Sequence, residues 1–541
     1  TRHPTVSIGK SDDFLARFGA ASESERAGML QAHIRAALGL VLGLDADHLI
    51  APDAPWMDLG LDSLMMVEVK NRLEKSFGLT LPVELMMADV TTEALAAHVA
   101  GKLCDLADRP ATTAAALSTP PPNLEEAMWA QMLERVQAIP QAFNTVDDQR
   151  GRQVLIDGRW RVDFASCNYL GLDLEPEVMA AIGPAVEKWG THPSWTRAVA
   201  SPAPYAELER ELAEILVATD TLVFPSISLL HMGVLPVLAG FDGVILKDAA
   251  AHHSIHEACL RARSEGVEWL DFRHNNPADL AEKLARYRPE RTKIIVTDGA
   301  YSMGGAYPPL PAYVRLAKEH NATVYIDDAH GFGILGERPD ETQPYGYGGG
   351  GIVRRFGLGY EADRIVYVAG LSKAFSSYAA FVTCSDPQMK ARLQASGPYV
   401  FSGPTSTASL ATALAGLRLN RTIGDERRAR ILRLTRRLVK EASVLGFEVD
   451  NEGDFPIVGV VMGPWDQMMT ACRILWEHDI LVTPATFPAV PMNRNLVRFS
   501  ITAANTEVEV SQAIAALAAV RRAVGDTPEV SALGHVEAMS A

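Results

Sequence analysis

"TVYIDDAHGFG", residues 323–333, decides the reading of the larger part of this chain. Val324, Tyr325 and Ile326 form an apolar run that reads as a buried strand, and it stops at two aspartates, a histidine and two glycines. Such strands belong to sheets covered on both faces, and ligands bind outside their ends. The same texture recurs in "TLVF" (221–224), "GVILKD" (243–248), "KIIVTDG" (293–299), "RIVYVAG" (364–370) and "AAFVTC" (379–384). The helix-like "YAELERELAEILV" (205–217) precedes them, "PPLPAYVRLAKEH" (308–320) lies among them, and "ERRARILRLTRRLVKEAS" (426–443) follows. Strand alternating with helix predicts an α/β fold with a mostly parallel central sheet. Residues 338–360, with a run of four glycines, read as a mobile surface loop.

The N-terminal part has another texture. "SERAGMLQAHIRAALGLVLGL" (24–44), "DSLMMVEVKNRLEKSFG" (62–78) and "VTTEALAAHVAGKL" (90–103) carry apolar residues at helical spacing, with Thr91 or Thr92 capping the last. Residues 25–104 thus form a small all-α unit. "DLADRPATTAAALSTPPPN" (105–123) has a linker's composition, and 124–525 form the α/β part, so the chain is multidomain.

Composition excludes several functions. A net charge of −16, from 50 basic against 66 acidic residues, opposes a nucleic-acid partner. No apolar run reaches the roughly 20 residues of a membrane helix. "LLHMGVLPVLAGF" (229–241) comes nearest and is interrupted by Pro236. Five scattered cysteines fit a reducing cytoplasm and lack metal-site spacing. The opening "TRHPTVSIGKSDDF" has neither a signal-peptide pattern nor an initiator Met, which reads as a processed chain or a piece of a larger protein.

Two residues pose chemical questions. Ser63 sits where a helix begins, so its plain reading is an N-cap; at a surface helix end it is also open to a modifying enzyme. Lys373, in "GLSKAF" (370–375), follows a strand end. A lysine there, with an acid after a buried strand earlier in the sequence, is the pattern of Schiff-base chemistry with pyridoxal phosphate, PLP.

On the motif "LGLDSL" (59–64), residues 25–104 resemble the acyl carrier proteins of polyketide and fatty acid synthases. The resemblance implies a four-helix bundle whose Ser63 carries 4'-phosphopantetheine, installed by a phosphopantetheinyl transferase, with an acyl thioester on the arm. Asp62 and Glu68 would help dock partner enzymes, including upstream synthase enzymes.

Residues 124–525 resemble the α-oxoamine synthases, which include amino-oxononanoate synthase, aminolevulinate synthase and serine palmitoyltransferase. Five motifs occur in family order: "DFASCNYLGL" (163–172) at the entering strand, "TDGAYSMGGAYPPL" (297–310), "VYIDDAHGFGILGE" (324–337), "GLSKAF", and "VRFSITAANT" (497–506). The resemblance implies a fold type I PLP-dependent transferase with a smaller C-terminal α+β subdomain, active as a homodimer. Lys373 would hold PLP and move protons. Asp327 would pair with the pyridine nitrogen, and His252 would stack on the ring. His330 and Ser302 would bond its phenolic oxygen, Arg498 would clamp the amino acid carboxylate, and Asn168 would lie near it.

Four motifs depart from the family. "GTHPSWTR" (190–197) replaces a "GSGGSR"-like turn, and "SISLLH" (226–231) replaces the phosphate-binding "SGF/Y-A-A-N". Gly370 stands for a threonine, and "FSGPTST" (401–407) for a Thr-rich segment. Ser226, Ser228, Ser402 and Thr405 remain candidate phosphate donors, with a helix starting near Ser228. Trp195 and His192 would narrow the pocket, so the small amino acid substrate is left open.

Together the halves imply a chain-off-loading enzyme: decarboxylative condensation of the acyl thioester on the Ser63 arm with an amino acid, giving an α-amino ketone. The alternatives are an aminotransferase acting on a carrier-bound substrate, and a carrier fused to an inactive PLP-fold scaffold.

Overall fold

In the computed structural model of the protein, the described residues are 14, 17–18, 21–42, 50–54, 56–59, 61, 63–77, 79, 81, 90–107, 133–486, 489–491 and 493–525. The chain divides into two compact units, residues 1–132 and 133–541.

The first unit is helical. Glu23–Leu42, Ser63–Phe77 and Thr92–Ala107 are its α-helices among the described residues, with a 3-10 turn at Trp56–Leu59. Leu30, Ile34, Leu38, Val69, Leu73, Phe77, Leu95 and Val99 are buried together, as the helical spacing requires. Thr91 is the cap of the last helix: its Oγ1 accepts the Ala94 N–H at 3.1 Å. Thr92 is buried and instead accepts the Trp56 indole N–H. Ser63 is the first residue of its helix. Its side chain and that of Glu68, residue Asp62, residues 82–89 and most of the 105–123 stretch lie outside the described residues.

The second unit is built on a seven-stranded sheet of order β4-β10-β9-β8-β7-β5-β6. The strands are β4 (Asp220–Phe224), β5 (Val244–Asp248), β6 (Glu268–Phe272), β7 (Lys293–Asp298), β8 (Thr323–Asp327), β9 (Ile365–Gly370) and β10 (Ala380–Cys384). Only β10 runs against the rest. Side chains alternate between two buried clusters, one on each face: Val324 and Ile326 enter one, Tyr325 the other. A smaller antiparallel sheet joins β11 (Val449–Asp450), β12 (Ile457–Gly463), β15 (Asn495–Ser500) and β14 (Thr483–Ala485). The N-terminal strands β1 (Asp148–Arg150), β2 (Gln153–Ile156) and β3 (Arg159–Asp163) form a separate four-stranded sheet with β13 (Ile480–Leu481), which pairs in parallel with β3.

Four expectations need correction. The motif "DFASCNYLGL" is not itself a strand: β3 ends at its first residue, where Asp163 Oδ1 accepts the N–H groups of Ala165 and Ser166 and turns the chain. Pro236 does not interrupt its segment, since Ile227–Ala239 is one helix with Pro236 inside it. The acidic stretch Glu268–Phe272 is a strand, β6, that the apolar pattern did not announce.

Residues 338–360 are not a loose loop. Gln343, Tyr345, Ile352 and Val353 are buried, and Gly351–Arg355 is helical. The glycines allow close approach: Gly351 has φ +85°, and a Cβ there would meet Tyr367 Oη at 2.1 Å. Asp328 Oδ2 accepts the Ile352 N–H at 2.7 Å and the Tyr367 hydroxyl at 2.9 Å. Among the described residues, no helix is long and apolar enough to cross a membrane.

Candidate active site

The central strands deliver polar residues to one end of the sheet. β7 ends at Asp298 and β8 at Asp327, which are direct neighbours in register, and Lys373 follows β9. Ile227, His252, Asp298, Ala300, Asp327, Ala329, His330 and Lys373 line one cleft. Four expected residues, Lys373, Asp327, His330 and His252, therefore meet. Asp298 joins them without having been singled out.

Asp327 is buried and well supplied with donors. Ala329 N–H bonds Oδ1 at 3.0 Å, and His231 Nε2 lies 2.9 Å from Oδ2. Burial raises its pKa, but the adjacent His231, and then Lys373, outweigh burial and bring it down to about 2. Asp298 goes the other way: burial and then the charge of Asp327 push it well above the usual carboxylate range. Sequence reasoning missed His231 because it sits inside an apolar helical run. The only signal was the changed last position of "SISLLH" against the family pattern.

Lys373 Nζ has no hydrogen bond or ion pair among the described residues. Burial lowers its pKa and Asp327 opposes that, leaving a net downward shift and a more readily neutral amine. His330 Nδ1 is 2.8 Å from the Tyr169 hydroxyl. Burial, then the Lys373 charge, hold the His330 pKa well below its ordinary value, so the ring is neutral and Tyr169 is the natural donor. Tyr169, from "DFASCNYLGL", is a second residue the sequence did not flag.

His252 caps the helix His253–Ser264, its Nδ1 accepting the Ser254 N–H. The ring remains exposed to the cleft, yet deep enough that burial lowers its pKa. His253 is exposed and pairs with Glu257, while His256 packs edge-on against Trp269.

Arg498, half-buried on β15, donates from Nη1 to the Ser302 carbonyl at 3.0 Å, and its Nη2 lies 3.9 Å from Cys167 Sγ. Its Nε is buried without a partner. Ser302 thus meets Arg498 through its backbone. Asn168 is turned to a different neighbour: its Nδ2 donates to Asp173 at 3.1 Å.

The candidate phosphate donors are dispersed in role. Ser226 is the N-cap of Ile227–Ala239, a helix that starts one residue ahead of the expected Ser228, and its Oγ accepts the Leu229 N–H. Ser228 is exposed in that helix's first turn. Ser402 donates to the Pro398 carbonyl, and Thr405 is buried with Oγ1 unpartnered. Nearby, His192 is tied by Nε2 to the Pro404 carbonyl at 2.9 Å, and Trp195 is exposed.

Comparison with known proteins agrees with both units. Residues 161–517 match the class I and II aminotransferases, and residues 32–99 match the phosphopantetheine attachment site. The 8-amino-7-oxononanoate synthase of Thermosipho melanesiensis is 30% identical over 384 residues, 71% of this chain and 94% of that protein. The enzyme of the same name from Pseudomonas putida is 32% identical over 374 residues, 69% of this chain and 91% of its own. Among solved structures, Sphingomonas wittichii serine palmitoyltransferase superposes with a TM-score of 0.68 at 27% identity, over 75% of this chain and 98% of that one. A serine palmitoyltransferase variant from S. paucimobilis with bound PLP–myriocin gives the same TM-score and identity, over 74% and 99% of the chains.

Proposed function

This chain belongs to the α-oxoamine synthases, PLP-dependent acyltransferases that join an acyl thioester to an amino acid with loss of CO2, and from that premise we propose that its acyl donor rides on its own carrier unit. The acyl group is held as a thioester on a phosphopantetheine arm at Ser63. A bond forms between the amino acid α-carbon and the acyl carbonyl, the thioester C–S bond breaks, and the carboxylate leaves as CO2. The products are an α-amino ketone and the free carrier thiol. The observation that carries this reading is the meeting of Lys373, Asp327, His330 and His252 on one cleft, in a chain that also contains a phosphopantetheine attachment site.

The residues present fit PLP. Lys373 offers an amine with no other partner, Asp327 an anionic carboxylate, and His252 a ring open to the cleft. The helix Ile227–Ala239 begins at the cleft and offers free N–H groups to a phosphate. Ser228 and Thr405 have hydroxyls without a partner among the described residues, Ser226 accepts the Leu229 N–H and keeps its own O–H to donate, and Ser402 spends its donor on the Pro398 carbonyl.

When bound, PLP supplies an electron sink for a carbanion at the amino acid α-carbon. Asp327 keeps the pyridine nitrogen protonated through a charge-assisted hydrogen bond. Lys373, its pKa lowered by burial, is able as a neutral amine to take the α-proton and return it. His330, held neutral, would donate from Nε2 to the ring's phenolic oxygen, and Ser302 would be its second donor there. His252 covers one face. Arg498 holds the substrate carboxylate with its planar fork, which lysine cannot replace. Asn168 contributes only through Asp173. A tethered donor reaches the cleft at high effective concentration, which a free thioester would not. The acyl chain arrives from upstream synthase enzymes, and the working form is a homodimer in the cytoplasm.

The test uses the full chain, converted by a phosphopantetheinyl transferase, loaded with an acyl group and supplied with PLP and single amino acids. Intact mass should show loss of the acyl group with one amino acid, an amino ketone in solution, and dependence on Lys373 and Ser63. Retention of the acyl group across short, long and β-modified chains would overturn the condensation. A keto acid formed without acyl loss would point to transamination instead.

A further inference from the structure

Two carboxylic acids stand side by side at the cleft. Asp298 and Asp327 end adjacent parallel strands, face each other in register, and are 4% and 5% exposed. Like charges at that spacing cannot both be ionised cheaply, so one must keep a proton. PLP chemistry needs the charge on a defined one of the two. Nothing in the strands themselves decides which, because both side chains occupy the same position on equivalent strand ends.

The surroundings break the symmetry. Asp298 receives one backbone donor, His252 N–H at 3.2 Å. Asp327 receives Ala329 N–H and, on its other oxygen, His231 Nε2. His231 is fully buried on the helix Ile227–Ala239, and its Nδ1 lies 2.7 Å from the Tyr325 hydroxyl. Ionised Asp327 only accepts, so Nε2 carries a proton. The bond between Nδ1 and the Tyr325 hydroxyl holds the ring in that orientation. The remaining charged or titratable groups facing Asp327 are Lys373, His252, Asp298, the adjacent Asp328 and Tyr367.

We propose that His231, backed by Tyr325, is the positioning residue that assigns the negative charge to Asp327 and leaves Asp298 protonated. The opposite pKa directions of the two acids agree with this. So does the sequence: the family's phosphate-binding pattern ends in asparagine where "SISLLH" ends in His231. The helix Ile227–Ala239, whose first turn would hold the phosphate, thus also holds Asp327 from its second turn. This inference rests on the PLP reading above.

The test compares the PLP-loaded full chain with Tyr325→Phe, His231→Leu and His231→Gln, titrating the visible absorbance against pH. If Asp327 loses its charge, the ring nitrogen loses its proton, and the imine nitrogen at Lys373 keeps its proton to higher pH. His231→Leu should raise the absorbance midpoint by roughly one pH unit and weaken PLP retention about tenfold. Tyr325→Phe, which preserves packing, should shift the midpoint the same way by less. His231→Gln, which keeps a donor toward Asp327, should restore most of the wild-type value. Unmoved midpoints in Tyr325→Phe and His231→Leu chains that still retain PLP would overturn this inference alone. A wild-type chain with no visible band would overturn the PLP reading and this inference with it.

Discussion

The Tyr169 hydroxyl stands 2.8 Å from His330 Nδ1, joining the turn after β3 to the turn after β8 in the buried wall of the cleft. Burial, followed by the neighbouring Cys167, raises the Tyr169 pKa well above its usual value, so it remains a donor at any working pH. Tyr169→Phe removes that donor and frees His330 to change tautomer. Condensation should slow about five- to tenfold, the worth of one neutral hydrogen bond, with PLP retained. Rate and visible spectrum, measured together, check both halves of that statement.

Arg498→Lys keeps the positive charge but loses the planar fork. The KM for the amino acid should rise about tenfold to a hundredfold, with little change in PLP absorbance. Equal loss of PLP and of amino acid affinity would place Arg498 with the cofactor rather than the substrate.

Asp328 gives a pH prediction with a defined sign. Burial lifts its pKa from 3.8 to about 7, only partly offset by the Ile352 N–H and the Tyr367 hydroxyl. The folded state therefore holds a proton that the unfolded chain releases, and stability falls as pH rises through that window, then levels off above it. Asp328→Asn has no such proton. Its advantage over wild type should grow from about pH 4 to about pH 7, reaching on the order of a few kcal/mol. Urea midpoints across that range test this, and parallel curves for the two proteins would refute it.

Gly351→Ala should destabilise the second unit by about 2–4 kcal/mol. Its φ of +85° and the 2.1 Å approach to Tyr367 Oη leave no room for a methyl group. The comparison is Gly348→Ala, where φ is +79° but no atom lies within 4 Å, so only the backbone cost applies. Thermal unfolding of both variants separates the two contributions.

The fold was largely legible because buried parallel strands leave continuous apolar runs. β6 escaped because it is the edge strand and is only partly buried: Glu268 and Asp271 serve Arg291 and Trp269 rather than a core. The glycine-rich stretch misled because composition does not distinguish glycine that loosens a chain from glycine that lets two backbones touch. In the site, Lys373, Asp327, His330 and His252 were readable from motifs. His231 and Tyr169 were not, since both act through another side chain and sit among apolar neighbours, where spacing looks like ordinary core.

Lys373 is mounted on the shortest connection of the central sheet. Elsewhere successive strands are joined by long crossovers, but residues 371–379 return directly from β9 to its antiparallel neighbour β10. Leu371 N–H reaches the Ala379 carbonyl at 2.8 Å and closes the base of the return. The amine is therefore gauged from two strand ends at once. Extra residues could be absorbed in a crossover without displacing the chemistry. A single residue inserted here would slide the amine along the cleft and leave the rest of the architecture whole, so this short return admits substitution far more readily than it admits a change of length.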